Sequence, residues 1–268
     1  MRNYLFFSAL ILLISGLPPK VSAQEAAKSD SLTALHNTIS FYREKARDNS
    51  FLYHGREYIG FDNRIEGHAF FLNNEWRNGN LYYKGQLYQQ VPMLYDIAAE
   101  ELVVQHYAGV FKIRLFKELI SYFELSGHHF INIAAVDPAA GVPAAGNDAA
   151  SGAVVNDAKG SPMIPGFYDL LYQGDTQLLV KRRKNIKETF MDRMIHREFD
   201  QKNLYFIKKE GAYYPVKSRG SALRVLGDQK KEVRQFLSRN KIKFRNDPEH
   251  ALMKMVEYYD QAQATDQP

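Results

Sequence analysis

Cysteine is absent from all 268 residues, which excludes disulfides, a thiol nucleophile and a lipid-modified N-terminal cysteine. Stability must therefore come from packing and polar pairing. The catalytic signatures that can be read from short spacings are missing too. There is no HExxH helix for zinc, no GxSxG elbow, no Walker loop and no dinucleotide-binding glycine fingerprint. The 8 histidines form no ligand spacing, and His128-His129 on a strand would point to opposite faces. No metal and no cofactor is expected. After the first residues there is no apolar run near the roughly 20 residues a spanning helix requires, so no transmembrane segment is expected beyond the leader.

That leader is the first feature present. Arg2 precedes the apolar run Tyr4 to Ile14, Gly16, Pro18 and Pro19 break it, and Val21-Ser22-Ala23 supplies small residues before Gln24. This is the pattern of a secretory signal peptide over residues 1–23. The expected location is exported, periplasmic or secreted. Charge is the second feature. Lys and Arg number 35 against 30 Asp and Glu, but between Lys181 and Asp247 the counts are 20 and 8. The acidic excess therefore lies in the rest of the mature chain.

Organisation follows from periodicity. Leu32, Leu35, Ile39, Tyr42 and Ala46 recur at helical spacing behind Asp30 and Ser31, which predicts an N-terminal amphipathic helix. From Phe51 to Ile133 the pattern is that of strands rich in Tyr, Phe, Val and Ile, cut by Gly, Asn and Asp. Val110 to Phe116 is the clearest alternation. Residues 134–163 are mostly Ala, Gly, Pro, Asn, Asp and Ser, with too few large side chains to offset the entropy of ordering them, which predicts a flexible insert. Strands resume at Gly166, a helix is predicted over Ile186 to Phe199, and strands return at LYFIKK and AYYPV. Two helices close the chain. Asp228 caps the first, with Val233, Phe236 and Leu237 on one face; Asp247-Pro248 opens the second, with the stripe Ala251, Leu252, Met255, Val256 and Tyr259. The expected class is α+β: antiparallel meander and hairpins, an N-terminal helix and a helical C-terminal region. Residues 24–133 and 164–268 are expected to form one compact unit or two closely packed halves.

A polar residue followed by glycine recurs at His54-Gly55, Lys84-Gly85, Gln173-Gly174 and Glu210-Gly211, the chemistry of a tight hairpin turn. Counting outward places Phe51 opposite Tyr58, Leu81 opposite Tyr88, Leu170 opposite Gln177, and Ile207 opposite Tyr214. The uneven spacing of these glycines argues against stacked sugar-binding repeats.

Two sets of residues carry whatever chemistry can be named. The run Lys181, Arg182, Arg183, Lys184 follows a strand-like segment and is too charged to bury unpaired, which predicts either an exposed edge contacting an anion or a face that is solvated or neutralised by the acidic remainder of the same chain. Lys230, Lys231, Arg234, Arg239, Lys241, Lys243 and Arg245 extend the basic tract. In an exported chain the partner would be an anionic envelope polymer or a protein, not nucleic acid. The alternative is an envelope-glycan hydrolase using Asp96 and Asp169, which sit in similar tyrosine-aspartate settings, as an acid-base pair. A non-catalytic binding role is the main expectation.

The stretches GHAFFLNNEW, LYYKGQLYQQVPMLYDI, GFYDLLYQG, YFIKKEGAYYPVKS, KKEVRQFLSRNKIKF and MKMVEYYD, in this order, resemble a group of exported proteins of the Bacteroidota. The resemblance spans nearly all of the mature chain apart from the Ala and Gly-rich insert. It implies export and a single-unit architecture, and no site residues.

Overall fold

A computed structural model describes residues 50–133 and 163–266. The expected signal peptide, the N-terminal helix expected around Leu32 to Ala46 and nearly all of the expected insert lie outside the described residues. The described strands and helices belong to one compact unit, Phe51–Pro268.

Thirteen strands follow in chain order: β1 (Arg56–Glu57), β2 (Arg77–Tyr83), β3 (Gln86–Asp96), β4 (Glu101–Gln105), β5 (Lys112–Arg114), β6 (Ile120–Leu125), β7 (His128–Ile133), β8 (Gly166–Gln173), β9 (Gln177–Lys181), β10 (Lys184–Met191), β11 (Met194–Gln201), β12 (Leu204–Lys209) and β13 (Ala212–Val216). Three α-helices come after them: α1 (Arg219–Val225), α2 (Lys230–Arg239) and α3 (Pro248–Asp266). Eleven strands form one sheet in the order β1-β5-β4-β3-β2-β6-β7-β8-β9-β12-β13, while β10 and β11 form a separate two-stranded sheet. Every pairing between named strands is antiparallel.

Turn chemistry sets much of this register. Lys84-Gly85 and Glu210-Gly211 both have positive φ at each central residue, the conformation whose twist matches that of paired strands. Leu81 accordingly faces Tyr88, and Ile207 faces Tyr214. The other two expected turns differ. Phe51–Tyr53 is a short 3-10 helix, and β1 pairs with β5 rather than with the preceding residues. At Gln173-Gly174 the turn is wider, so Leu170 faces Leu179 and Gln173 faces Gln177.

The helix expected over Ile186 to Phe199 is instead the β10–β11 hairpin. Ile186, Phe190 and Met194 mimic a helical stripe at intervals of four. The turn at Asp192-Arg193 has positive φ at both residues without a glycine to announce it.

Strands buried on both sides read as unbroken apolar runs. Leu102, Val103 and Val104 of β4 and Leu178, Leu179 and Val180 of β9 are all buried. The long sheet is strongly curled. In a flat sheet β3 and β8, separated by β2, β6 and β7, would lie about 19 Å apart; instead the rings of Tyr95 and Phe167 are 5.7 Å apart. Inside the curl Tyr95, Phe123, Phe130 and Phe167 pack edge and face against one another. A second core lies under the helices, where Leu178, Ile207 and Val216 meet Leu223, Val233, Leu237, Leu252, Met255 and Val256. Burying such a side chain contributes roughly 1.5–3 kcal/mol, so the helices are held by their apolar stripe.

Candidate functional site

The curl brings the β3–β4 turn against the ends of β8 and β9, and charge accumulates there. Glu100, at positive φ in that turn, pairs with Lys181 and Lys117 and accepts the Phe167 N–H at 3.0 Å. Gly166 has φ of 141°, which residues with a side chain rarely adopt, and a Cβ there would also meet the Glu100 carboxylate and the Lys181 ammonium. Burial pulls the Lys181 ammonium below its ordinary value, and Glu100 opposes that pull.

Arg182 lies one residue on, in the wall between the two cores. Its Nε and Nη2 donate to Asp169 Oδ2 at 2.9 and 2.6 Å, and Nη1 and Nη2 donate to the Glu249 carboxylate at 2.6 and 2.8 Å. The Phe71 ring centroid lies 5.7 Å from the guanidinium carbon. His128 Nδ1 shares Asp169 Oδ2 at 2.8 Å. Burial disfavours the Arg182 charge, but the bonds to Glu249 and Asp169 outweigh it and the net direction is upward. This fork joins strand β8 to the first turn of α3. Two polar atoms beside it, Asp169 Oδ1 and Tyr95 Oη, are buried without a hydrogen-bond partner.

The structure corrects the expectation of an exposed edge at Lys181 and Arg182. They are 3% and 5% exposed, because acids distant in sequence, at positions 100, 169 and 249, converge on them. Lys184 Nζ is likewise turned inward, donating to the carbonyls of His68 and Phe70 at 2.8 and 2.9 Å. Arg183 is partly exposed and makes no ion pair among the described residues.

Asp96 and Asp169 are both 0% exposed. Asp96 Oδ1 accepts the Ala98 and Ala99 N–H groups at 2.8 Å each, holding the β3–β4 turn, and Oδ2 accepts the Tyr58 hydroxyl at 2.7 Å. Burial raises its pKa, and the hydrogen bonds oppose the rise. Asp169 belongs to the Arg182 fork. No hydrogen bond joins the two carboxyls, and neither presents an atom to solvent. The structure gives each an architectural partner set instead of a shared acid-base site. Among the described residues no cluster of His, Asp and Glu could hold a metal ion, and no helix is long and apolar enough to cross a membrane.

The exposed charge lies elsewhere. From Lys217 to Arg245 there are 10 Lys and Arg against 2 acids, Asp228 and Glu232. All ten cations are exposed. Lys230 and Arg234, and Lys231 and Arg234, are neighbours at helical spacing on α2, and such like-charge pairs destabilise a helix slightly. A long charged run was visible in the sequence; which of its members had partners was not.

No protein-family model, curated protein or solved structure matches this chain.

Proposed function

We propose that the protein is an exported, non-catalytic envelope protein that binds an anionic partner through the exposed basic surface spanning Lys217 to Arg245. The observation that carries this reading is the contrast between two sets of cations. Lys117, Lys181, Arg182, Lys187 and Arg197 each have an acidic partner within 4 Å. The ten cations from Lys217 to Arg245 make no ion pair among the described residues and face solvent. A surface of one sign attracts polyanions over about a Debye length, roughly 10 Å at 0.1 M salt.

The hydrolase alternative has no comparable support. Asp96 and Asp169 have no exposed surface with which to meet a glycan, and both are committed to neighbouring side chains and amides. The test is retention of the mature protein on immobilised polyphosphate across a salt gradient. Retention that weakens steeply with salt supports the reading. Passage at low salt as fast as a neutral protein of the same size overturns it.

A further inference from the structure

The β10–β11 hairpin is an arm built differently from the rest of the fold. Each strand has eight residues. At its base the arm is anchored on one edge: Glu66 N donates to Arg197 O at 2.8 Å, Phe199 N donates to Glu66 O at 3.1 Å, and the Phe61 and Phe199 rings meet at 5.3 Å. From His196 outward, β11 pairs with no strand but β10 among the described residues. Two cross-strand ion pairs form a collar, Lys187–Glu198 and Arg197–Glu188, both at 2.8 Å. Beyond it comes the polar pair Thr189–His196, and past that pair the strand ends carry apolar side chains on both faces up to the charged turn Asp192-Arg193. Phe190 opposes Ile195, and Met191 opposes Met194; successive residues alternate, so the first pair lies on one face and the second on the other. These four are 73%, 59%, 56% and 60% exposed. They extend the apolar tip roughly 10 Å past the collar.

The arm leaves the fold at its basic end. Lys181, which leads into the arm, faces Leu204, which follows it, and the neighbouring Tyr205 faces Val216, after which Lys217 and Arg219 begin the helical region. Tyr205 Oη donates to Glu249 at 3.4 Å and Arg182 donates to the same carboxylate. The first turn of α3 is therefore at this end. The turn Lys243–Asp247 leads directly into it, which puts Lys243 and Arg245 beside it, with Lys241 just before them in the chain.

We propose that the anionic partner is a lipid surface carrying acidic headgroups, with the arm's tip entering its interface while the basic end lies on the headgroups. This rests on the reading of the basic surface given above. A flat protein face would cover one side of the tip and leave the other pair exposed, whereas lipid surrounds both. The collar charges neutralise one another, so they add no repulsion at headgroup level. Stable attachment to a bilayer takes two signals, an apolar insertion and a polybasic patch, because either alone is marginal. Here both leave the fold at the same end. Asp192 and Arg193 at the apex, together with the unpaired edge amides of the arm, restrict entry to the interfacial zone, since unsatisfied backbone groups are costly in hydrocarbon.

The test floats the mature protein with vesicles of zwitterionic phospholipid and with vesicles containing an acidic phospholipid, at low and high salt. Two variants accompany it: F190S/M191S/M194S/I195S in the arm and K241Q/K243Q/R245Q in the basic end. The wild type is expected to float with acidic vesicles at low salt only. The arm variant should lose flotation at least tenfold yet remain on polyphosphate; the basic variant should lose both. An arm variant that floats like the wild type, or a wild type that is retained on polyphosphate but floats with neither vesicle, overturns the inference and leaves the proposed function standing. A wild type that polyphosphate does not retain overturns the proposed function itself. F190W, whose emission should shift to the blue on acidic vesicles, reports the tip directly; no shift also overturns the inference, and a shift produced only by another protein would place the tip in a protein groove.

Discussion

Arg182 shows how a residue can be fully charged and fully structural. Its fork holds Asp169 of β8 and Glu249 of α3, so truncating it leaves the Asp169 carboxylate, 0% exposed, with His128 as its remaining side-chain partner. Breaking a buried pair from one side costs about 3–5 kcal/mol. R182M is therefore expected to lower the urea midpoint sharply, and R182M/D169L to recover part of the loss, because Glu249 is less deeply buried and retains solvent. Equal losses in the single and double variants would show that the fork is not what matters. Asp96 gives a dependence on pH of unusual sign. Burial raises its folded pKa above the ordinary carboxylate value, despite the bonds from Ala99, Tyr58 and Ala98. The native state then holds this proton more tightly than the unfolded state. Its contribution is present in full below the unfolded value and is lost as pH rises through the folded one. Between pH 4 and 7, denaturation midpoints of the wild type are expected to fall relative to D96N as pH increases. A difference that grows the other way would contradict the environment described for this carboxyl.

Among the elements, the hairpins separate what local chemistry decides from what contacts decide. Gly85 has φ of 79° and open space around its Cβ position, so G85A is expected to cost only the conformational penalty, about 1–2 kcal/mol. G166A should cost more, since φ of 141° lies further from any region open to alanine than that of Gly85 and its Cβ would also displace the Glu100–Lys181 pair; urea midpoints of the two variants test the order. The arm's apex can be improved. Asp192 and Arg193 hold φ of 50° and 63°, and replacing them with Asn-Gly is expected to strengthen amide exchange protection in β10 and β11 without moving the sheet's protection. These cases mark how far the sequence could be read. The turns at Lys84-Gly85 and Glu210-Gly211 were legible because φ > 0 at successive positions selects polar-Gly pairs, and so was the antiparallel, α+β character. The arm was not legible, because its turn lacks glycine and its apolar residues recur at helical intervals. His54-Gly55 misled for a different reason: Gly55 lies against β5, where a Cβ would be 2.3 Å from Arg114 O, so the glycine serves close approach and not a hairpin. At Lys181 and Arg182 the sequence showed the charge, while their partners at 100, 169 and 249 come together only through the curl of the sheet.

At the scale of the whole molecule, one basic tract divides into two populations with different work. The cation at 181 is consumed in holding the β3–β4 turn to the end of β9 and the one at 182 in joining the curled sheet to α3, whereas those from Lys217 to Arg245 are exposed and make no ion pair among the described residues. The two should respond oppositely to substitution. Exposed charges contribute little to folding, typically within about 0.5 kcal/mol, so K241Q/K243Q/R245Q should melt like the wild type. The measurement that tests this division most directly is the salt concentration that elutes each protein from immobilised polyphosphate, read beside its melting temperature. The basic-end variant is expected to elute at much lower salt with an unchanged melting temperature, while K181M is expected to melt lower yet, at a temperature where it is folded, elute with the wild type. A basic-end variant that elutes with the wild type, or a folded K181M that elutes as early as the basic-end variant, would contradict the account.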